Sequence, residues 1–422
     1  MQIGFVGLGM LGLPMALVAA SGGHQVRGYD NNPERMGFGW YPGLEHGRDG
    51  ESLAALAARA DFAFAPLDEV VAASEIIFLT AQTPNTGSYD GTGPFPAGGA
   101  EYDLRPLRQA LGAIADAARR APPVRRVLAV VSTVLPGTLR QLARELPLPA
   151  ELSLAHVPAF SAVGTYVRDI LNPEFVLVGA FDAHAGERLE AFFRTLTDAP
   201  VFITGPENAE LIKTSYNGFI GLKIGFANTL MEMAHKMPGC DVDAVVDCLS
   251  LATQRLISPR YLRGGLGDGG GCHPKENAAL AALAQRLELS FDPFGANMVC
   301  RDRQSEWLAS LVEDECRANR LPLWLLGTAF KPNVSFETGS AALLLLAALE
   351  RRGLQPRVHD PLVPGRSNPP GAGPAIFVLA MPHDLFNDFT AAPGSIIIDP
   401  WRRMVPTESV RVVAVGRGPA VS

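Results

Sequence analysis

The sequence predicts an α/β fold: two doubly wound, parallel-sheet domains joined by a helical centre that contains one long helix. Three observations predict it. A glycine fingerprint follows the first apolar run and opens a helix. Short apolar runs then alternate with helical stretches to about residue 204. After a purely helical region, the same alternation starts again near Leu321. Strands alternating with helices are the pattern of a parallel sheet covered on both faces. The expected division is residues 1–204, 205–319 and 320–422.

The totals narrow the function. A chain of 422 residues has room for two or three domains, and at 47% hydrophobic and 19% charged it is an ordinary globular protein. A net charge of −7 without any basic block excludes nucleic acid as the main partner. The five cysteines, Cys240, Cys248, Cys272, Cys300 and Cys316, are odd in number and share no metal-ligand spacing. They are expected to be reduced thiols of a cytoplasmic protein without a metal. Met1 leads directly into strand-type residues, with no export signal expected, and the apolar runs are too short or too broken to span a bilayer.

In chain order, Met1 to Gly7 is a strand-type run that flows into GLGMLG. Gly7, Gly9 and Gly12 have the G-x-G-x-x-G spacing, with Met10 and Leu11 inside it. A second run, His24 to Asp30, ends in a carboxylate 18 residues past Gly12. Glycines there permit a tight turn and close approach of a pyrophosphate to the helix N-terminus. Asp30 accepts from both ribose hydroxyls of an adenosine, so the expected cofactor is NAD rather than NADP. Further strands are expected at Glu75 to Thr80, Val127 to Val131, Leu152 to His156, Phe175 to Gly179 and Val201 to Ile203. Thr83–Pro84 and Ser132 to Thr138 (STVLPGT, with Thr133) fall at the carboxyl edge of the sheet, where open α/β folds bind ligands. Asn85 to Asp103, rich in Gly, Pro, Ser and Thr, reads as a long mobile loop, either a lid or a tolerated insertion.

The middle region centres on two features. From Pro206 to about Lys236 apolar residues recur at helical spacing without a strong breaker, which predicts one long helix, the spine of a middle domain and a homodimer contact. Lys213 and Asn217 stand four apart and share a face. Such a pair makes a cation-plus-amide site for an oxyanion; the same spacing also suits two solvated polar residues. Helices are expected at Asp241 to Ala252, Lys275 to Leu287 and Phe294 to Asn319. Between the first two lies GLGDGGGCHPKE, Gly265 to Glu276, with five glycines in the seven residues before Cys272. A thiol after a glycine loop can reach a bound electrophile, and a neighbouring lysine such as Lys275 favours the reactive form of a thiol. The bland alternative is a flexible surface loop that holds a cysteine.

The third region is again Rossmann-like: strands at LPLWLLGTAF, RVHDP, AIFVLAM, SIIIDP and VRVVAV, and an apolar helix at Ser340 to Arg352. Its first turn, GTAFKPN, lacks the glycine spacing, so it is expected to bind a nucleotide-like substrate rather than a second dinucleotide.

Taken in order, GLGMLG, Asp30, TP, STVLPGT, AELIKTSYNGF, GGGCHPKE, GTAFKPN and VHDP resemble the UDP-glucose/GDP-mannose dehydrogenase family over essentially the whole chain. The resemblance implies oxidation of a sugar nucleotide's primary alcohol to the acid with two NAD molecules. It implies Cys272 as the nucleophile that forms a thiohemiacetal and then a thioester, and Lys213 and Asn217 as oxyanion stabilisers. Glu276 stands where the family has an Asp near the thiol, and Thr133 would position water. Ser132, Thr133, Thr83 and Lys275 would face the cofactor; Gly269, Lys331, Lys213 and Asn217 would face the substrate.

The sequence also departs from that family. The segment PEFLREG becomes PAFSAVG, so its two glutamates are Ala159 and Val163. NPEF at Asn172 to Phe175 is a decoy, because it abuts a VLVG strand, and Phe175 replaces an arginine there. FKPNTDDVRES becomes FKPNVSFETGS, which puts Thr338 in the place of a phosphate-binding arginine. Around the thiol, Asp268 replaces an aromatic, Gly271 a serine, and His273 a second aromatic. Thioester hydrolysis needs a base, which this sequence lacks at the matched positions, while Asp268 and His273 add two ionisable groups; His273 facing solvent and Asp268 capping a turn is the plain alternative. Three readings follow: a family-type dehydrogenase with altered chemistry, a redox-neutral NAD-dependent dehydratase or epimerase, and a non-catalytic binding homologue. The expected partner is a small sugar nucleotide or nucleoside.

Overall fold

A computed structural model of the chain describes every residue except 44, 47–51, 59, 97–98, 254–262, 267–269, 287, 289–291 and 418–422. The chain forms two compact units, residues 1–83 with 102–215, and residues 84–101 with 216–422.

The first unit comprises β1 (Gln2–Val6), α1 (Gly12–Ser21), β2 (Gln25–Tyr29), α2 (Leu53–Ala58), β3 (Phe62–Phe64), α3 (Leu67–Ala73), β4 (Ile76–Leu79), α4 (Arg105–Arg120), β5 (Arg126–Val130), α5 (Thr138–Glu145), β6 (Leu152–His156), α6 (Tyr166–Leu171), β7 (Val176–Ala180), α7 (Ala183–Phe193) and β8 (Val201–Thr204). Its strands form one sheet in the order β3-β2-β1-β4-β5-β6-β7-β8. The central strands β1, β4, β5 and β6 are almost wholly buried, as strands covered by helices on both faces must be. Alternate residues feed two cores. Ile3, Phe5 and Phe78 join Phe192 on one face, and Val6, Ile77 and Leu79 join Leu107 and Ile114 on the other. Phe5 stacks on Phe78 with ring centroids 5.0 Å apart. Each such side chain, fully buried, is worth about 2–3 kcal/mol. The order of strands reverses between β1 and β4, so the turns after them flank the crevice where ligands bind.

Two features differ from the sequence reading. β3 is an edge strand of only three residues, FAF, too short to show a period. β6 and β7 pair antiparallel, through Ala155 with Ala180 and His156 with Gly179. The connection between them carries only the six-residue α6 rather than a full crossover helix.

α8 (Pro206–Lys236) is the single long helix the apolar spacing predicts, and the division between the units falls within it. The second unit continues with α9 (Val242–Ser250), α10 (Cys272–Arg286), α11 (Pro293–Asn319), β9 (Leu323–Leu326), α12 (Ala341–Arg351), β10 (Arg357–His359), β11 (Ile376–Leu379), β12 (Ile396–Asp399) and β13 (Arg411–Ala414). Its five strands form an all-parallel sheet in the order β10-β9-β11-β12-β13. One core lies between this sheet and the helices, where Leu325, Val378 and Ile398 meet Leu345, Leu308 and Val312.

The segment expected to be a mobile loop is tied down instead. Asn85 Nδ2 donates to the Ala100 carbonyl at 2.8 Å, Ala100 N to the Ala278 carbonyl of α10 at 3.3 Å, and Phe95 N to Asp302 Oδ2 of α11 at 2.7 Å. Among the described residues, no helix is long and apolar enough to cross a membrane.

Candidate active site

The turn after β1 is built for close approach of a ligand. Gly7 has φ +94°, and its N–H donates to the Tyr29 carbonyl at 2.8 Å. A Cβ on Gly12 would lie 2.0 Å from the Gly7 oxygen, so only glycine fits where the turn enters α1. A Cβ on Gly9 would meet nothing nearer than Arg35 Nη1 at 3.6 Å. Gly9 therefore keeps the backbone bare rather than relieving a clash. α1 has Leu11 at its N-cap position, with no side-chain cap and no acidic residue in its first turn, so its positive end carries no competing carboxylate and suits an anion. The Tyr41 hydroxyl donates to the Met10 carbonyl at 3.0 Å. Burial, with Glu45 and Tyr166 nearby, holds this phenol far above its usual range, so it stays a donor. Asp30 is buried at the end of β2. Its Oδ2 accepts from Leu8 N at 2.7 Å and its Oδ1 from Asn32 N at 2.8 Å, so it braces the glycine turn that it flanks. Arg35 Nη1 is 3.8 Å from Oδ2. A glycine turn, a helix N-terminus that nothing caps and an adjacent carboxylate fit a dinucleotide.

The carboxyl edge of the same sheet carries the two turns expected beside the cofactor. Thr83 Oγ1 donates to the Thr133 carbonyl at 2.8 Å, and Ser132 Oγ to the Ala81 carbonyl at 2.6 Å. Two further residues, which the sequence reading missed, fix this edge. His156, fully buried, places Nε2 3.2 Å from the Ser132 carbonyl, so this nitrogen carries the proton. Burial pulls His156 down to about 3; the bond to Ser132 opposes this, and the charge of Lys213 adds to it. Glu210, also fully buried, accepts from Gly137 N and from Leu139 N at 2.5 and 2.9 Å, holding the start of α5. Burial pushes its carboxyl up to about 7 despite those two bonds. The available signal was spacing: Glu210, Lys213 and Asn217 follow one another at three and four residues on one helical face. Lys213 is buried, with Nζ 5.1 Å from the centre of the Phe160 ring.

In the second unit Cys272 does not trail a loop but opens α10, one turn earlier than the sequence suggested. It is an exposed free thiol. His273 faces inward, 8% exposed, so it does not point to solvent, and Glu276 is 2% exposed. Asn277 Nδ2 donates to the His273 carbonyl at 2.8 Å and fixes the first turn of the helix. Asn217 is buried, and Lys275 and Lys331 are half-buried, the latter with Nζ 5.6 Å from the centre of the Phe330 ring. Thr338 is exposed. Asp268 and Gly269 lie outside the described residues. Thr133 and Lys213 belong to the first unit, and Asn217, Cys272, His273 and Glu276 to the second. Among the described residues no group of three or more His, Cys, Asp and Glu side chains is arranged to hold a metal ion.

Comparison with known proteins agrees with this geometry. The family model for the NAD-binding domain of the UDP-glucose/GDP-mannose dehydrogenase family matches residues 1–197, and that for its central domain matches residues 207–298. The chain belongs to the UDP-glucose/GDP-mannose dehydrogenase family. It is 28% identical over 379 residues to a UDP-glucose 6-dehydrogenase of Bacillus subtilis, covering 86% of this chain and 80% of the relative. It is 28% identical over 377 residues to a GDP-mannose 6-dehydrogenase of Pseudomonas aeruginosa, covering 85% and 81%. The solved structure of a UDP-glucose dehydrogenase from the archaeon Pyrobaculum islandicum superposes with a TM-score of 0.83 at 26% identity, covering 99% of this chain and 98% of that one. As a member of the UDP-glucose/GDP-mannose dehydrogenase family, the chain is an NAD-dependent enzyme, and its NAD-binding domain is the first 197 residues, which include the β1–α1 turn and Asp30.

Proposed function

We propose that this enzyme oxidises the sugar of a nucleotide-sugar or nucleoside-like substrate, and that its acid-forming half-reaction is altered. NAD supplies the hydride acceptor. Cys272 Sγ adds to the resulting aldehyde carbon, and the former carbonyl oxygen, now carrying negative charge, is stabilised by Lys213 and Asn217. Loss of a second hydride from that carbon leaves a thioester. Its hydrolysis adds water oxygen to carbon, breaks the C–S bond and returns a proton to the thiolate. That last step needs a base.

The observation that carries this reading is the environment of Lys213. Its ammonium lies over the ring of Phe160, and Ala159, beside that ring, packs against the apolar core. Neither residue can take a proton, and Val163 in the same segment cannot either. Unless Asp268 or His273 substitutes for that base, whose assistance is worth about 10²–10⁴ in rate, hydrolysis stalls while the first hydride transfer survives. Exposed Thr338, in place of an anion-binding arginine, supports a less anionic substrate than an intact sugar diphosphonucleotide. Phe219, Leu222 and Phe226, exposed along one face of α8, support a homodimer through this helix.

The test is NADH yield and product mass with a panel of sugar nucleotides and nucleosides. Fewer than two NADH per product molecule is expected. A product changed by dehydration or inversion, with no net NADH, would assign the redox-neutral variant of the chemistry. Steady release of a sugar acid with two NADH would restore the ordinary family reaction.

A further inference from the structure

We propose that the turn bearing Cys272 is held in a clamp made by two loops far apart in sequence, with Gly339 and Arg301 as its positioning residues. The first jaw is the loop between β9 and α12. Gly339 has φ +73°, and a Cβ on it would lie 2.1 Å from Gly271 Cα and 2.2 Å from Gly271 N. The two backbones therefore touch directly. Gly270 has φ +88°, and its Cβ position lies 2.5 Å from Phe330 Cδ2. This jaw is itself fixed: Phe330 N donates to the Phe336 carbonyl at 2.8 Å and Ser340 Oγ to the Ala329 carbonyl at 3.2 Å.

The second jaw is the segment 84–101. Gly91 has φ +85°, and its Cβ position lies 2.9 Å from Pro274 Cγ, in the first turn of α10. Arg301 of α11, buried, donates to the carbonyls of Gly91 and Gly93, and Asp302 accepts from Phe95 N. A charge-assisted bond from a buried guanidinium is among the stronger local restraints available. Gly271 sits between the jaws: its Cβ position is 3.5 Å from the Thr338 carbonyl oxygen and 3.6 Å from that of Asp90. Those are ordinary contacts, so Gly271 tolerates a methyl group and Gly339 does not. Residues 90–95, part of the Asn85 to Asp103 stretch whose sequence left open a lid or an idle insertion, thereby form a wall of the thiol turn.

The consequence for chemistry rests on the proposed role of Cys272 as nucleophile. A displacement of about 1 Å at a reacting group costs roughly 10²-fold in rate. The test uses the full-length protein. In Arg301→Met, hydrogen exchange by mass spectrometry should accelerate by about tenfold in peptides spanning 88–96 and 270–277 together, with β5 unchanged. Faster exchange in 88–96 alone would overturn the clamp. Gly91→Ala presses on Pro274 without removing a charge and serves if Arg301→Met does not fold; it should raise exchange in 270–277, and unchanged exchange there would overturn the clamp. Kinetically, Gly339→Ala should lower kcat by about 10²-fold with the KM for NAD within twofold, and Gly271→Ala should lower it by less than threefold. Equal effects of the two glycine variants would overturn the positioning role. Coupled exchange with full activity in Cys272→Ala would instead leave the clamp standing and remove the nucleophile assignment.

Discussion

The two sheets open with the same device and put it to different uses. After β1, Gly7 has φ +94° and donates to the Tyr29 carbonyl; after β9, Gly327 has φ +82° and donates to the His359 carbonyl, each at 2.8 Å. The next amide in each case meets the carboxylate that ends the neighbouring strand: Leu8 N to Asp30 at 2.7 Å, Thr328 N to Asp360 at 2.6 Å. The difference begins one residue later. α1 starts at Gly12 with no side-chain cap, whereas the chain after Gly327 runs out to Ser340 before α12 begins, and Ser340 Oγ accepts from Ala342 N at 3.1 Å. Asp360 is also fully committed. It accepts from Thr328 N, Ala329 N, Leu362 N and His383 Nε2, the last fixed as donor because His383 Nδ1 accepts from Asn333 N. Burial raises the Asp360 carboxyl, but those hydrogen bonds outweigh it and hold the group far below the usual carboxylate range. The same backbone turn thus leads into a helix end with no side-chain cap in the first sheet, the form suited to a dinucleotide, and into a closed structural joint in the second.

The largest expected effect comes from breaking the closed version. Asp360→Ala strands His383 and three backbone amides in the interior and should cost about 3–5 kcal/mol, read as a lower denaturation midpoint. Whatever protein remains folded should bind NAD normally. Next, Gly12→Ala places a methyl carbon on the Gly7 oxygen and should weaken NAD binding by 10²-fold or more in calorimetry, about 3 kcal/mol, with a smaller loss of stability. Asp30→Ala is gentler: it should reduce NAD affinity by about tenfold, a charge-assisted bond's worth, and narrow the preference over NADP. Equal NAD and NADP binding by the unaltered protein would contradict the role of this carboxylate.

A further expected effect is a pH slope that belongs to the first unit. Native His156 stays neutral down to about 3, whereas the unfolded chain takes up that proton near 6.5. The unfolded state then binds more protons, so stability falls as pH drops from 6.5 toward 3. Glu210 has the opposite sign. It keeps its proton to about 7 when folded and loses it near 4.5 when unfolded, so its contribution is full below 4.5 and is lost as pH rises to 7. His156→Gln, which retains an N–H for the Ser132 carbonyl, should flatten the thermal-stability profile below pH 4.5. An unchanged acid limb would show that His156 is not the buried base titrating there.

Much of this was legible from sequence because it depends on local pattern. The glycine spacing, the apolar runs and the breaker-free stretch from Pro206 to Lys236 locate β1, α1 and α8 nearly to the residue. The rest depends on what meets what. Nothing in FAF marks an edge strand, and nothing in the residues of β7 marks its antiparallel pairing with β6. His156 and Glu210 looked like ordinary residues at a strand end and on a helix; their roles come from carbonyl and amide groups of turns on other elements. Cys272 and His273 stand out in the sequence, but their environment does not, because the start of α10 meets segments near residues 90 and 339 that are distant in the chain.

The interrupted course of the chain has a consequence for synthesis. Residues 84–101 leave the ribosome before the remainder of the first unit, 102–215, and long before Ala278, Arg301 and Asp302, the groups that hold them. Throughout that interval the segment must wait without a partner. Its Gly, Pro, Ser and Thr content suits the delay, since it offers no continuous apolar run for misassociation in the nascent chain. For the same reason, a gene split between codons 215 and 216 would encode an N-terminal piece carrying a stranded guest and a C-terminal piece lacking one wall.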